Sequence, residues 1–263
     1  MNAEQQQEAS DLLWDSWRQG RKLSALPDGI RPATRADGYA IQALLERHTA
    51  APLFGWKIAA TSQAGQAHIG VDGPIAGRLL AEHVQPSDAS LPLAGNEMRV
   101  AEPEFAFRMA RDLQPRTQAY VVDEVMEAVA ALHPAIEVPD SRYQNFARVG
   151  AAQLIADNAC GHRFVLGPAA AADWRAIDLT AHPVAGEVTG RIHRDGKGAN
   201  VLGDPRLALT WLANELSRLS ITLRSGQVVT TGTCMVPLAV AAGDRVVADF
   251  GVLGRVSVSF TAD

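Results

Sequence analysis

The stretch Val100-Ala101-Glu102-Pro103-Glu104-Phe105-Ala106-Phe107-Arg108-Met109 constrains the fold more than any other part of the chain. Ala101, Pro103, Phe105, Phe107 and Met109 recur at every second position, the period of a β-strand with one buried face. Val100, Glu102, Glu104 and Ala106 occupy the other face. Two carboxylates therefore project side by side from a strand that its phenylalanines anchor in a core. Pro103 has no N–H to give to a ladder, which predicts an edge or a bulge at that position.

A second strand is read at Ala135-Ile136-Glu137-Val138, with Glu137 facing away from Ile136 and Val138. Between the two strands, Val122, Val125, Met126, Val129 and Leu132 have helical spacing, stopped by Pro134. His133 is expected at that helix end, near the negative pole of its dipole. Such a crossover is long enough to set the strands side by side. If the three carboxylates then meet at about 5 Å, each pair repels by roughly 3 kcal/mol at an effective dielectric near 20, on the order of 10 kcal/mol in all. Protonation or a cation relieves that repulsion, and an all-oxygen ligand set selects Mg2+ or Mn2+ over Zn2+. The residues alone leave two readings open. Solvated carboxylates on an exposed sheet account for a lone Glu-x-Glu, whereas a glutamate among apolar neighbours implies a buried group that requires a partner.

Lys57 stands in Phe54-Gly55-Trp56-Lys57-Ile58-Ala59, a short strand-like run. Its apolar neighbours predict a desolvated amine with a lowered pKa, able to carry a proton; the alternative is a lysine snorkelling from a strand end. Pro139-Asp140-Ser141-Arg142-Tyr143 follows Glu137 and falls at the rim of any site built there. Asp157-Asn158 and Thr231-Gly232-Thr233 offer donors suited to a carboxylate, although turns use the same residues.

The remaining chain reads as α+β. Ala9, Leu12, Leu13 and Trp17 predict a first helix, and Tyr39, Ile41, Leu44, Leu45 and His48 a second, entered near Thr34 after the turn Leu26-Pro27-Asp28-Gly29. Asp204 as N-cap and Pro205 at the first helical position open a helix that buries Leu207, Trp211, Leu212, Leu216 and Leu219. Asp195-Gly196 predicts a hairpin turn, and the alternation Val256, Val258, Phe260 a last strand. The expected organisation is a helical portion, residues 1–79, that contributes to the active site, followed by a sheet-rich metal-binding catalytic domain, residues 80–263.

Composition narrows function by exclusion. Lys and Arg total 24 against 29 Asp and Glu, a net charge of -5 without a basic stripe, which argues against a nucleic-acid partner. No apolar run approaches the ~18 residues of a membrane span, and nothing resembles an export signal, so a cytoplasmic protein with no membrane partner is expected. Cys160 and Cys234 are too few for a disulfide framework and read as small buried hydrophobes. The motifs G-x-S-x-G, H-E-x-x-H, G-x-x-x-x-G-K-[ST] and G-x-G-x-x-G are absent.

Taken in order, Gly55-Trp56-Lys57-Ile58, Thr61-Ser62, His68-Ile69-Gly70-Val71-Asp72, Glu102-Pro103-Glu104-Phe105-Ala106-Phe107, Pro134-Ala135-Ile136-Glu137-Val138-Pro139-Asp140-Ser141-Arg142, Ala156-Asp157-Asn158 and Ala242-Gly243-Asp244 resemble the 2-keto-4-pentenoate hydratase family of the fumarylacetoacetate hydrolase superfamily. The likeness runs from about Leu12 to Phe260. It implies a mixed β-roll body with a helical N-terminal portion, a homo-oligomer, and Mg2+ (or Mn2+) held by Glu102, Glu104 and Glu137, with Lys57 beside the substrate. The activity it implies is metal-dependent hydration of a 2-hydroxy-2,4-dienoate to a 4-hydroxy-2-oxo acid, as in meta-cleavage catabolism of aromatics. In that chemistry Lys57 relays a proton or stabilises an oxyanion, and the metal or Asp72 holds the attacking water. Ser141, Asn158 and Thr233 are the expected substrate contacts.

Two positions bear on the reaction. Many members read Val-Asp-x-Pro-Asp-[Phe/Tyr]-Gly, whereas this chain reads Val71-Asp72-Gly73-Pro74-Ile75-Ala76-Gly77, with Ile75 in place of the second acid. Glu137 stands where the C–C hydrolase branch usually carries Asp, which favours a hydratase or a decarboxylase. The alternative is a vinylogous 2-oxo-acid decarboxylase of 4-oxalocrotonate type, marked by Arg78 or Arg142 facing the distal end of the substrate. A C–C bond hydrolase and a non-catalytic binding protein follow.

Overall fold

The computed structural model describes residues 1–263. Helix α1 (Ala3–Arg18) opens on a capping box between Asn2 and Gln5, and α2 (Arg35–Ala43) on one between Thr34 and Asp37. Strand β1 (Gly55–Ala59), helix α3 (Gln63–Ile69) and strands β2 (Ile75–Leu79), β3 (Val84–Pro86) and β4 (Ala89–Pro92) follow. Then come β5 (Val100–Met109), α4 (Val122–Glu127), β6 (Val129–Val138), α5 (Ala151–Ala156) and β7 (Arg163–Leu166). The chain ends with β8 (Pro183–Val188), β9 (Ile192–Lys197), α6 (Pro205–Arg218), β10 (Val228–Thr233), β11 (Leu238–Ala239), β12 (Arg245–Asp249) and β13 (Arg255–Thr261). Asp204 caps α6 and Pro205 opens it. No helix is long and apolar enough to cross a membrane.

The strands form two sheets, as expected of an α+β chain. The larger has the order β2-β1-β10-β5-β6-β7-β3, with β11 also paired to β5, and the smaller the order β4-β13-β12-β8-β9. Phe105 and Phe107 on β5 are fully buried; Phe105 meets Phe250 edge-to-face at 5.1 Å and Phe107 meets Trp174 at 5.9 Å. This apolar layer fixes the opposite face of β5, where the glutamates stand. In the first fifty residues Ala9, Leu13, Leu26 and Ile41 form a second cluster with Tyr143 and Ala156, while Tyr39 of α2 joins the main core. Of residues 1–79, β1 and β2 are hydrogen-bonded into the larger sheet.

Four local expectations are corrected. The helix before Pro134 ends at Glu127, and Val129 and Leu132 belong to β6, which continues through Pro134 opposite Phe105. His133 is consequently a strand residue, its Nδ1 2.9 Å from the carbonyl of Gly167. Asp195 and Gly196 lie within β9, paired with Ala185 and Val184, because the β8–β9 turn falls earlier. Pro103 is not at an edge: β5 runs between β10 and β6. Its carbonyl accepts from Cys234 N at 3.0 Å, so its missing N–H faces β10, where the register shifts between Thr230 and Thr233. The bulge half of the expectation holds.

Candidate active site

Strands β5 and β6 are antiparallel neighbours in which Glu102 pairs directly with Glu137, and Glu104 with Ala135. The three carboxylates share one face of the sheet, with an oxygen from each lying within 4.8 Å of the others. Glu104 and Glu137 are buried, while Glu102 is half-buried and borders a large cavity. The two-residue period of the strand and the direct pairing suffice to gather them.

The bulge in β10 orients Glu104. One oxygen of Glu104 accepts from Gly232 N at 2.9 Å and from the Thr230 hydroxyl. The extra residue of the bulge takes the Gly232 N–H out of the ladder and turns it to the carboxylate. Only glycine fits at 232, where φ is +94° and a Cβ would lie 2.2 Å from Thr61 Oγ1.

Lys57 on β1 reaches the same cluster, its Nζ 2.9 Å from Glu137 Oε1 and donating to the Ala159 carbonyl at 2.8 Å. Gly77 makes room for its stem, since a Cβ there would come within 2.9 Å of Lys57 Cδ. Ala159 is aimed by three successive left-handed residues, Asn158, Ala159 and Cys160, with φ of 55°, 50° and 60°. Strain of this kind persists only where the surroundings enforce it. Here the Asn158 side chain enforces it by bonding both backbone groups of Arg78, accepting from N at 2.6 Å and donating to O at 2.9 Å.

The cluster is short of positive charge. Burial, then the charge of Glu137, raises Glu102 to about 7, with Lys57 opposing. Burial and the other two carboxylates push Glu104 well above the ordinary range, and burial raises Glu137 against the pull of Lys57. The Lys57 pKa is raised, not lowered as its apolar neighbours predict. Burial pulls it down, but Glu137, Glu102 and Glu104 outweigh that effect, so the amine is an ammonium at neutral pH. Glu104 Oε1 and Glu137 Oε2 are buried without a hydrogen bond, and Glu137 Oε1 has only the Lys57 ammonium beside it. Unbonded buried carboxylate oxygens converging on one point fit a hard divalent cation.

The cavity beside Glu102 and Lys57 measures about 1060 Å3 and is walled by β1, α3, residues 97–102 and residues 232–237. Thr233 lines it, with its hydroxyl donating to the Met235 carbonyl at 2.9 Å. The other sequence candidates are elsewhere. Ser141 Oγ donates to Asp157 Oδ2 at 2.6 Å inside a buried network with Arg142, and the Asn158 amide is occupied by Arg78. The Asp72 side chain is 86% exposed and bonded to Arg35 at 2.7 Å, outside the cavity lining. Thr230 and the Ala159 carbonyl escape a reading of the sequence, whereas Gly232 belongs to a run read there as offering donors to a carboxylate. Their neighbours Thr231, Gly232, Thr233 and Asn158 were the visible signal, and the bulge decides which of them turn inward.

Residues 63–261 match the family described as fumarylacetoacetate (FAA) hydrolase C-terminal. The chain belongs to the fumarylacetoacetate hydrolase family. Within it the chain is hydratase-like: it is 34% identical over 258 residues to 2-keto-4-pentenoate hydratase 1 of Dechloromonas aromatica (strain RCB), covering 96% of this chain and 95% of that one. It is also 34% identical to the 2-keto-4-pentenoate hydratase of Burkholderia vietnamiensis (strain G4 / LMG 22486), over 95% of both chains. Among solved structures, 4-oxalocrotonate decarboxylase from Pseudomonas putida G7, complexed with magnesium and adipate, superposes with a TM-score of 0.90 at 27% identity, covering 99% of this chain and 98% of that one. The family likeness accounts for the mixed helix-and-sheet architecture.

Proposed function

We propose that this family member is a divalent-metal-dependent hydratase, a hydro-lyase that converts a 2-hydroxy-2,4-dienoate to a 4-hydroxy-2-oxo acid in the catabolism of aromatics. The observation that carries the reading is the wall of the large cavity. Lys57, at the carboxylate cluster, is the one Lys or Arg among its lining residues, and Glu97 adds a negative charge. Arg78 is engaged by Glu46 and Gln42, and Arg142 by Asp157. A substrate with a single carboxylate at the metal end and an uncharged tail suits such a wall. The second carboxylate of a 4-oxalocrotonate-type acid finds no Lys or Arg there besides Lys57, His68 being the other basic side chain of the wall, which disfavours the decarboxylase.

Glu102, Glu104 and Glu137 would hold the ion, and Mg2+ or Mn2+ suits their oxygens. Bound there, it supplies Lewis acidity toward the carboxylate and 2-oxo oxygens of the substrate. The Thr230 hydroxyl and Gly232 N hold Glu104 in place. The Lys57 ammonium, fixed by Glu137 and Ala159, keeps a proton at the cavity edge. In the first step the enol hydroxyl loses its proton and C5 gains one, giving the conjugated 2-oxo-3-enoate. Water then adds across C3–C4, its hydroxyl going to C4 and its proton to C3. Lys57 serves as the proton donor or steadies the charge on the 2-oxygen. Thr233, on the cavity wall, is placed to contact the substrate. A homo-oligomer, as the resemblance implies, and a cytoplasmic location, as the composition suggests, belong to the same reading.

The test is incubation with Mg2+ and either 2-hydroxypenta-2,4-dienoate or 2-oxohex-3-enedioate, following dienol absorbance and released CO2. Dienol loss without CO2 supports the hydratase. CO2 from the diacid overturns it in favour of the decarboxylase.

A further inference from the structure

A second cavity of about 220 Å3 lies between the end of α1, residues 94–95 and the start of β7, and it shares no lining residue with the large one. Its wall carries Arg18, Arg21, Lys22, Arg142 and Arg163 against one carboxylate, Asp140. Lys22 is paired with Asp140, and Arg142 with Asp157 outside the cavity. Arg18, Arg21 and Arg163 have no acidic partner, in a chain whose net charge is -5. Arg18 offsets the dipole at the C-terminus of α1, but Arg21 lies beyond that helix and Arg163 is on β7.

The interior of this cavity is built rather than solvated. Arg163 Nε is buried with no hydrogen-bond partner, while Nη1 lies 3.0 Å from His83 Nδ1. The His83 ring stacks on Trp17 at 4.6 Å, and the Arg142 guanidinium covers the same indole at 4.6 Å. Burial first, then the neighbouring guanidinium groups, push His83 down to about 4 and His162 to about 2, so both imidazoles stay neutral beside the cations. A cavity with cations on floor and rim, stiffened by stacked rings, presents guanidinium forks to a planar or tetrahedral oxyanion.

We infer that this cavity binds a small divalent oxyanion, of the class of phosphate or a short dicarboxylate, with Arg163 at its floor and Arg18 and Arg21 at its rim. The site shares no lining residue with the large cavity, although a small pocket beside Trp17, His83, His162 and Arg163 also reaches Glu137. Two sources could fill it: a free anion, to which the inference commits, or an acidic side chain of another copy of the chain.

The test is calorimetric titration of the intact protein with inorganic phosphate at constant ionic strength, with chloride as the reference. One saturable site per chain is expected, weakened at least tenfold in Arg21→Gln and in Arg163→Gln and unchanged in Glu102→Gln. Arg21 is exposed, so its variant keeps the test usable if Arg163→Gln fails to fold. Binding equal to chloride, equal in wild type and Arg21→Gln, or lost in Glu102→Gln overturns the inference. So does a wild type that ignores phosphate while Arg21→Gln alters its sedimentation, which would assign the cavity to another copy's carboxylate.

Discussion

Glu102 and Glu137 face one another as directly paired residues of β5 and β6, with Glu104 two positions along on the same side. Like charges so placed oppose sheet formation. Glu102→Gln is therefore expected to stabilise the metal-free protein at pH 8, by about 1 kcal/mol, while weakening Mg2+ binding at least tenfold. Thermal unfolding in EDTA and calorimetry with Mg2+ measure the two effects. A lower melting temperature without metal would show that the acids do not repel.

The same crowding sets a pH dependence. Glu102 is raised to about 7, and Glu104 and Glu137 are raised as well, burial being the first cause in each. The folded metal-free chain therefore holds more protons than the unfolded one between the ordinary glutamate value and 7. The stability due to Glu102 is full below about 4.3 and is lost as pH rises through about 7, and Glu104 and Glu137 act in the same direction. Metal binding has the opposite sign, since the ligands must ionise. Mg2+ should bind more tightly as pH rises through 7 and release protons, read from binding heats in buffers of different ionisation enthalpy.

Lys57 pairs with Glu137 at 2.9 Å and so competes with a metal for that ligand. Lys57→Met should leave Mg2+ affinity intact or improved while lowering kcat by about 10²–10⁴-fold, the usual range for a proton-transfer group. Parallel loss of both would mean that the lysine only builds the site.

Arg142 and Asp157 form a buried pair with side chains 3% and 0% exposed. Burial raises Asp157 even against Arg142, so the carboxylate depends on its partner. Arg142→Met is expected to cost about 3–5 kcal/mol of stability, seen in urea unfolding at pH 7.

Asp72, exposed and bonded to half-buried Arg35, should behave as a surface residue. Asp72→Asn is expected to change stability by less than about 1 kcal/mol and kcat by less than twofold. A hundredfold loss in steady-state assays would place it in the reaction.

The glutamates could be read from the chain because each sits on a strand whose apolar partners alternate with it, and a period of two leaves no choice of face. The segment from Val122 to Leu132 was ambiguous for the opposite reason. Its apolar residues satisfy a helical spacing across the point where α4 gives way to β6, and pairing with β5 decides the outcome. Gly196 reads as a turn residue but is required by packing, since a Cβ there would lie 2.4 Å from the Cys234 carbonyl. The Lys57 pKa runs against its sequence neighbours because the groups that set it come from β5 and β6. Interactions between residues far apart in the chain decide each of these cases.

The irregular stretch of β10 ties a defect in the sheet to the grip on Glu104. Pro103 interrupts the ladder, Gly232 offers its amide to the acid, and Thr230 adds a hydroxyl. Healing this flaw by deleting one residue at 231–232 would yield a more regular sheet with Glu104 unmoored, so neatness of pairing and possession of a metal ligand are mutually exclusive at this spot.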